Sequence, residues 1–103
     1  MPRFLFTYDL RETNPDPHYE FKQACFEDGW TDLILNANQT LWYELPNTTL
    51  RGDFASKADA VASFRKAAKV ASRKLGINVV VTKWIVALYL SSSFDSDEKY
   101  RNE

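Results

Sequence analysis

Two strand-like segments, at residues 3–10 and 78–90, are apolar on both faces, and this limits what the chain can fold into. Successive side chains of a strand point to opposite sides. In the first segment three aromatic residues therefore share one side, while Leu5 lies on the other. The second segment is rich in Val, Ile and aromatic residues, which favour strands. A sheet built on these two strands needs cover on both of its faces.

Two helical segments lie between these strands. Asp16 followed by Pro17 is a typical helix start, and the helix is predicted to run to Asp28 and stop at Gly29. Its predicted buried stripe is Phe21, Ala24 and Cys25. The second helix begins at a capping-box-like sequence, Ser56-Lys57-Ala58-Asp59, and ends at Gly76. Its apolar residues recur at intervals of three and four, which is the helical period. They are Val61, Phe64, Ala68, Ala71 and Leu75.

Two shorter strands are predicted at 31–35 and 40–45, joined by a hairpin turn at 36–39 whose Asn residues tolerate positive φ. The order βαββαβ predicts an α+β fold, a ferredoxin-like sandwich with a four-stranded antiparallel sheet and both helices on one face. This domain is expected to span residues 1–90. Residues 91–103 form a polar C-terminal tail without a clear pattern.

The second face of the sheet is then apolar and needs a cover. A second copy of the chain is the simplest one, because most oligomers are two-fold dimers. We expect a homodimer that buries one face of the sheet. The residues expected in that interface are Leu5, Thr7, Val79, Val81 and Ile85, or those of the opposite face if the helices pack on this one.

Length and composition exclude several classes of protein. A chain of 103 residues supports one core, and no apolar run approaches the ~18 residues of a membrane-spanning helix. With one Cys and one His it has neither an internal disulfide nor a zinc site of its own. The start Met1-Pro2-Arg3 does not resemble a signal peptide, so a cytoplasmic location is expected.

Positive charge is concentrated in the second helix. Residues 56–76 hold six Lys or Arg against one Asp, although the whole chain has a net charge of -1. Four of these cations lie opposite the apolar stripe, and they are Arg65, Lys66, Lys69 and Arg73. Such a face can contact the phosphates of RNA or DNA. The alternative is a solvated helix face that balances the acidic first half of the chain.

One combination of motifs resembles a known family. A strand ending in Tyr8-Asp9-Leu10, a helix, and then a strand with the sequence Gln39-Thr40-Leu41-Trp42-Tyr43-Glu44-Leu45 is similar to the small CRISPR-associated adaptation nucleases, the Cas-two family. Cas-two-like proteins also occur outside CRISPR loci. The resemblance covers about residues 3–90. It implies a ferredoxin-like homodimer of prokaryotic or phage origin, and for some members a metal-dependent endonuclease.

The resemblance implies that Asp9 is the catalytic residue, because the family's implicated Asp ends the first strand and is contributed by both subunits. Two such carboxylates would hold Mg²⁺, which prefers oxygen ligands and can activate water at a phosphodiester. Alternatively, Asp9 caps the following loop or pairs with an Arg such as Arg11. One acid per subunit is a small catalytic set, so whether the protein is an enzyme stays open.

Four aromatic residues on strands or next to them are candidates for stacking on bases, although aromatics at such positions are more often part of a core or an interface. They are Trp30, Trp42, Tyr43 and Trp84. Two functions follow from the sequence. The first is a homodimeric nucleic-acid-binding protein of Cas-two-like type, with or without weak Mg²⁺-dependent cleavage. The second is a non-catalytic module on the same fold that binds another protein.

Overall fold

The first strand, β1 (Arg3–Leu10), pairs with another strand on each side and organises the fold. The structure is a computed structural model that describes residues 1–103. The other elements, in chain order, are α1 (His18–Glu27), β2 (Trp30–Thr31), β3 (Leu33–Leu35), β4 (Leu41–Glu44), β5 (Thr49–Asp53), α2 (Lys57–Leu75), β6 (Val81–Tyr89) and β7 (Lys99–Arg101). The protein is therefore α+β, with two helices and only antiparallel strand pairs.

The strands form two sheets. The main sheet has four strands in the order β2-β5-β1-β6, and a smaller sheet has three strands in the order β3-β4-β7. The hairpin predicted at 36–39 is present, because Leu35 pairs with Trp42 across it. The amide oxygen of Asn36 accepts hydrogen bonds from the N–H groups of Thr40 and Leu41, which closes the turn.

The predicted strands 31–35 and 40–45 do not both lie in the main sheet, and this part of the prediction was wrong. The first divides at Asp32: residues 30–31 join the main sheet and residues 33–35 join the small one. The place next to β1 is taken by β5, which the sequence did not predict. Its sequence, Thr-Leu-Arg-Gly-Asp, contains Gly and Asp, which are poor strand formers. Pairing with β1 on one side and β2 on the other holds it extended.

The core lies between the main sheet and the two helices. The even-numbered residues of β1 are all buried there, together with the inner sides of α1 and α2. The buried set is Phe4, Phe6, Tyr8, Leu10, Phe21, Ala24, Cys25, Trp30, Leu50, Ala60, Phe64, Ala67, Ala71, Val79 and Val86. The first-helix stripe is as predicted. In α2 the predicted Phe64 and Ala71 are buried, but Ala60 and Ala67 are buried in place of Val61 and Ala68, which pack at the margin together with Leu75.

The predicted ends of α2 are confirmed. The Ser56 hydroxyl accepts a hydrogen bond from the Asp59 N–H at 3.1 Å, which satisfies one of the free donors of the first turn. Gly76 has φ +67°, and its N–H donates to the Ser72 carbonyl. This is the left-handed helix end that glycine adopts without a steric cost.

Part of the outer face of the main sheet is covered by the chain itself. The small sheet and the segment around Phe94 approach Leu5, in a depression that Ile34 and Tyr43 also line. The Tyr43 and Phe94 rings meet edge to face, with centroids 5.3 Å apart. The tail takes part through β7, where Tyr100 pairs with Trp42. Leu5 therefore does not depend on a second copy for its cover.

Two residues expected in the dimer interface lie instead on the core side, Val79 within the core and Val81 packed against it. The register between β1 and β6 shifts between Asp9 and Leu10, so Leu10 pairs with Val81 and both side chains point inward. Val79, just before β6, is buried as well. Thr7 and Ile85 pair with each other and are exposed on the outer face, as expected. No helix of the structure has the length and apolar character that a membrane crossing requires.

Gly52 in β5 lies where the chain has no room for a side chain. A Cβ atom there would be 2.8 Å from the Gly29 carbonyl oxygen and 2.6 Å from the Phe54 ring. The Trp30 ring would be 3.0 Å away. Since Gly29 contributes a backbone atom, the contact cannot be relieved by a side-chain rotation. Gly52 therefore allows β2 and the Trp30 indole to pack closely on β5.

We expect Gly52→Ala to lower the free energy of unfolding by about 1–3 kcal/mol, because the added methyl overpacks a site that has no space. Urea unfolding followed by far-UV circular dichroism measures this. Asp53→Ala in the same strand is the control, since it removes an ion pair with Arg51 from a half-exposed carboxylate and should cost less than about 1 kcal/mol. Equal stabilities for Gly52→Ala and the wild type would contradict the close packing.

Candidate nucleic-acid interface

The basic surface of α2 results from the way this helix packs. Its small buried residues, Ala60, Ala67 and Ala71, allow it to lie close to the sheet and to α1. The Ser63 hydroxyl donates a hydrogen bond to the Asp28 carbonyl at the end of α1, at 2.9 Å. With this side fixed inward, the helical period places Arg65 and its neighbours outward.

The structure brings the four predicted cations together. Arg65, Lys66, Lys69 and Arg73 are all exposed and line one open depression along α2, with Ala62 and Val70 between them. We call these four side chains the basic cluster. Positions separated by three and four residues are neighbours on a helix surface, so the like charges lie side by side. Without an anion this arrangement is repulsive.

Most of the basic cluster has no acidic partner. Lys66 Nζ lies 3.2 Å from an Asp28 carboxylate oxygen, whereas Arg65, Lys69 and Arg73 make no ion pair. Several cations elsewhere do have one, among them Lys22 with Asp32 at 2.8 Å and Lys74 with Glu20 at 3.3 Å. Three adjacent exposed charges are therefore left without a counter-charge from the chain.

Trp84 of β6 adjoins the basic cluster. Its ring packs on Phe64 with centroids 4.9 Å apart, and the Arg65 guanidinium lies 5.4 Å from the Trp84 ring centroid. Arg65 is thereby held over apolar surface, and its charge is still free of any carboxylate. Ala68 and Val79 line a groove between α2 and the chain leading into β6, next to these rings.

The other three aromatic candidates lie elsewhere. Trp30 is buried in the core, 5.3 Å from Phe6 between ring centroids. Trp42 belongs to the small sheet, where its indole N–H donates to the Asn102 side chain at 3.1 Å. Tyr43 packs on Phe94. Of the four, Trp84 alone is near the basic cluster.

Asp9 lies on the other side of the sheet. It is exposed on the outer face of β1, directly opposite Lys83 of β6, whereas α2 covers the inner face. Its carboxylate accepts no hydrogen bond and forms no ion pair with Arg11 or any other residue; the contact at this residue is from the Thr82 hydroxyl to the Asp9 carbonyl, at 3.2 Å. The predicted cap and ion pair are therefore absent, and the two predicted sites are not brought together.

The residues around Asp9 in one chain do not fit a Mg²⁺ ion. No group of three or more His, Cys, Asp or Glu residues gathers anywhere in the structure. The neighbours of Asp9 in a shallow depression are Thr7, Lys83 and Ile85. Mg²⁺ needs oxygen ligands, and a lysine ammonium opposite the single carboxylate competes with a cation for it.

One charged cluster on the outer face was not found from the sequence. The Arg51 guanidinium donates to the Tyr89 hydroxyl at 2.8 Å and to Asp53 at 2.7 Å, and the Arg3 guanidinium lies over the Tyr89 ring. Burial would lower the pKa of Arg51, but these two partners outweigh it and raise the pKa above its ordinary value. The cluster is satisfied internally, so it has a structural role. Its residues come from three strands, and spacing along the chain carries no signal of it.

Comparison with known proteins identifies no relative: no family model matches the chain, and no curated protein or solved structure shows significant similarity.

The unpartnered carboxylate of Asp9 leads to a stability prediction. Asp9→Asn should change the free energy of unfolding by less than about 0.5 kcal/mol, because no hydrogen bond or ion pair is lost. Ser56→Ala is the control, and the loss of its N-cap bond should cost about 1 kcal/mol in the same urea titration. A loss for Asp9→Asn as large as that for Ser56→Ala would show that Asp9 has a structural partner.

Proposed function

We propose that the protein binds nucleic acid through the basic cluster of α2. The observation that carries this proposal is the group of three exposed cations, Arg65, Lys69 and Arg73, without any acidic partner. Regularly spaced cations on one helix face are suited to a chain of phosphates, whose binding releases condensed counterions and is favourable for that reason. Either RNA or DNA offers this backbone.

The charge distribution supports a local site more than a general attraction to polyanions. The whole chain has a net charge of -1, so nonspecific attraction to the entire surface is weak. Of the nearby acids, Asp28 contacts Lys66 alone within the cluster and Glu20 contacts Lys74 outside it, so Arg65, Lys69 and Arg73 are left without a carboxylate. A face that served only to balance the acidic half of the chain would be expected to pair with it through more than the single Lys66–Asp28 contact.

The strand order is consistent with a finer description of the fold. We infer that β1, α1, β2, β5, α2 and β6 form a ferredoxin-like βαββαβ core, and that β3 and β4 are inserted between its second and third strands. A relation to Cas-two-like proteins is part of the same proposal and rests on the first strand, which ends in Tyr8-Asp9-Leu10. The segment 39–45, which carried the other half of the resemblance, lies mainly in the small sheet. A cytoplasmic homodimer is proposed with it.

Two other functions have one observation each in their favour. Weak metal-dependent cleavage is favoured by the exposed, unpartnered carboxylate of Asp9, although its surroundings in one chain do not suit Mg²⁺. A protein-interaction module is favoured by the exposed apolar side chains of β6. Binding without cleavage is the function that the placement of these residues supports best, because the basic cluster and Asp9 are on opposite faces of the sheet.

We expect the protein to bind labelled single-stranded RNA or DNA with an affinity that falls steeply with salt. Four phosphate contacts correspond to a slope of about -3 in the logarithm of the binding constant against that of salt concentration. The variant in which Arg65, Lys66, Lys69 and Arg73 are all Gln should lose this binding in fluorescence anisotropy titrations.

A second variant with four Gln substitutions, at Arg11, Lys57, Lys99 and Arg101, is the matched control. These residues are exposed and lie outside the basic cluster, so removing the same charge there should leave most of the affinity. Equal losses in the two variants would mean that net charge, and no particular surface, determines binding. Undiminished affinity in the basic-cluster variant would refute the proposal.

Asp9→Asn tests the cleavage function separately. If Asp9 takes part, cleavage of RNA or DNA with Mg²⁺ or Mn²⁺ should disappear in this variant, while nucleic-acid binding stays within about twofold of wild type because the basic cluster is untouched. Gel analysis of end-labelled substrates measures the cleavage. If purified Asp9→Asn protein still cleaves, the cleavage is due to other residues or to a contaminant. An inactive wild type supports a binding role alone.

A further inference from the structure

The last strand of the main sheet presents an unusual amount of apolar side chain to solvent. Trp84 is 41 % exposed, Ile85 58 % and Leu88 54 %, and Leu90 follows immediately after the strand. Four of the seven exposed large hydrophobic residues of the chain thus lie within one stretch of seven positions. Trp84 and Leu88 pair with Tyr8 and Phe4 on the helix side of the sheet, whereas Ile85 pairs with Thr7 on the outer side, so both faces are apolar along this one edge. Scattered exposed apolar residues are ordinary, but apolar side chains concentrated along one edge strand indicate an interaction there.

The backbone of the same strand is open to pairing. β6 is at the edge of the main sheet and pairs on one side only, with β1, through eight of its nine residues. The opposite edge strand, β2, has only two residues. Proteins usually protect a long edge with proline, bulges or several charges. β6 has no proline and a single charge, Lys83, and its pairing with β1 is regular from Lys83 to Tyr89.

We propose that a second copy of the chain adds to this edge, with the two β6 strands antiparallel, to form one continuous eight-stranded sheet. The strand is complementary to itself in this arrangement. Pairing of all nine residues, Val81–Tyr89, places the two-fold axis at Ile85, so that Ile85 meets Ile85 of the second copy. Lys83 then lies opposite Ala87 of the second copy. Like charges directly opposite each other destabilise an antiparallel pair, and this register brings none together.

This assembly differs from a dimer formed through the outer face of the sheet, and Thr7 distinguishes the two. Thr7 is exposed on the same face as Ile85 and directly opposite it, but one strand further from the edge. In the edge-paired dimer the two Thr7 residues are three strand spacings apart, about 14 Å. In a face-to-face dimer Thr7 lies inside the interface.

The edge-paired dimer extends the proposed nucleic-acid binding and rests on it, because pairing of the two sheets determines where the two basic clusters lie. α2 packs next to β6, where Phe64 meets Trp84, so edge pairing puts both α2 helices on the same side of the joined sheet, flanking the axis. The two basic clusters then form one larger surface for a phosphate backbone. The two Asp9 carboxylates, one strand inside the edge, are also at least about 14 Å apart and cannot share a metal ion.

Two lysine substitutions test the interface by sedimentation velocity. The wild type should sediment as a dimer of the 11.9 kDa chain at high micromolar concentration. Ile85→Lys should shift it to the monomer, because two like charges would meet at the axis. Thr7→Lys, its matched control, should stay a dimer. A monomeric wild type, or dissociation caused by Thr7→Lys and not by Ile85→Lys, overturns the proposal.

Cysteine cross-linking provides a measurement that does not depend on disrupting the interface. Cys25 is the single native cysteine and is buried, so Cys25→Ala gives a background without thiols. Within it, Ile85→Cys should form an intermolecular disulfide under mild oxidation, since directly opposite residues lie within disulfide range. Thr7→Cys should not. Cross-linking of Thr7→Cys to the same extent, or none by Ile85→Cys, contradicts edge pairing.

Nucleic-acid binding by the basic cluster and dimer formation through β6 can each be refuted without refuting the other. A dimer that cross-links through residue 85 but does not bind nucleic acid would refute the proposed function and leave the interface standing. A monomer whose salt-dependent binding is lost in the basic-cluster variant would do the reverse.

Discussion

The structure depends above all on the aromatic packing around Phe6, at the centre of β1. Its ring is fully buried and lies 4.5 Å from Phe64 of α2 and 4.8 Å from Tyr8, between centroids, with Phe21 of α1 meeting it edge-on at 6.3 Å. Each such pair contributes about 0.5–1.5 kcal/mol beyond the burial of apolar area. One side chain thus joins the central strand to both helices. Burial in this core raises the pKa of the Tyr8 hydroxyl, and it raises the pKa of the Cys25 thiol to about 12.

This packing also determines where the polar chemistry lies. Because strand side chains alternate, burying Phe6 and Tyr8 inward places Thr7 and Asp9 on the outer face. Because α2 meets the sheet through Phe64, its basic cluster faces away from it. The two candidate sites are therefore separated by the thickness of the sheet and the helix layer. A nucleic acid held along α2 would not pass over Asp9 of the same chain, and this separation is the main physical reason for favouring a binding function.

Two groups of residues cover part of the outer face of the main sheet. The small sheet and Phe94 approach Leu5, while the Arg51 cluster with Tyr89 and Asp53 satisfies its own charges nearby. This cover reaches β6 only at its last residue, Tyr89, and the free edge of β6 and the exposed side chains before Tyr89 stay open. The assembly inferred for the protein therefore concerns a strip at one edge of the sheet. A larger face-to-face interface would have to displace the small sheet or avoid it.

Local sequence signals determined the two helices, the caps of α2 at Ser56 and Gly76, the strand β1 and the exposed basic cluster, because each depends on residues a few positions apart. Tertiary structure decided what depends on distant partners. β5 is a strand in spite of Gly52 and Asp53 because β1 and β2 pair with it on both sides, and the strand predicted at 31–35 divides because its ends find partners in different sheets. A register shift after Asp9 turned Val81 towards the core, and the residue pattern within either strand does not predict that shift. Periodicity reports which face of an element is apolar, whereas the partner that covers this face is chosen by the whole chain.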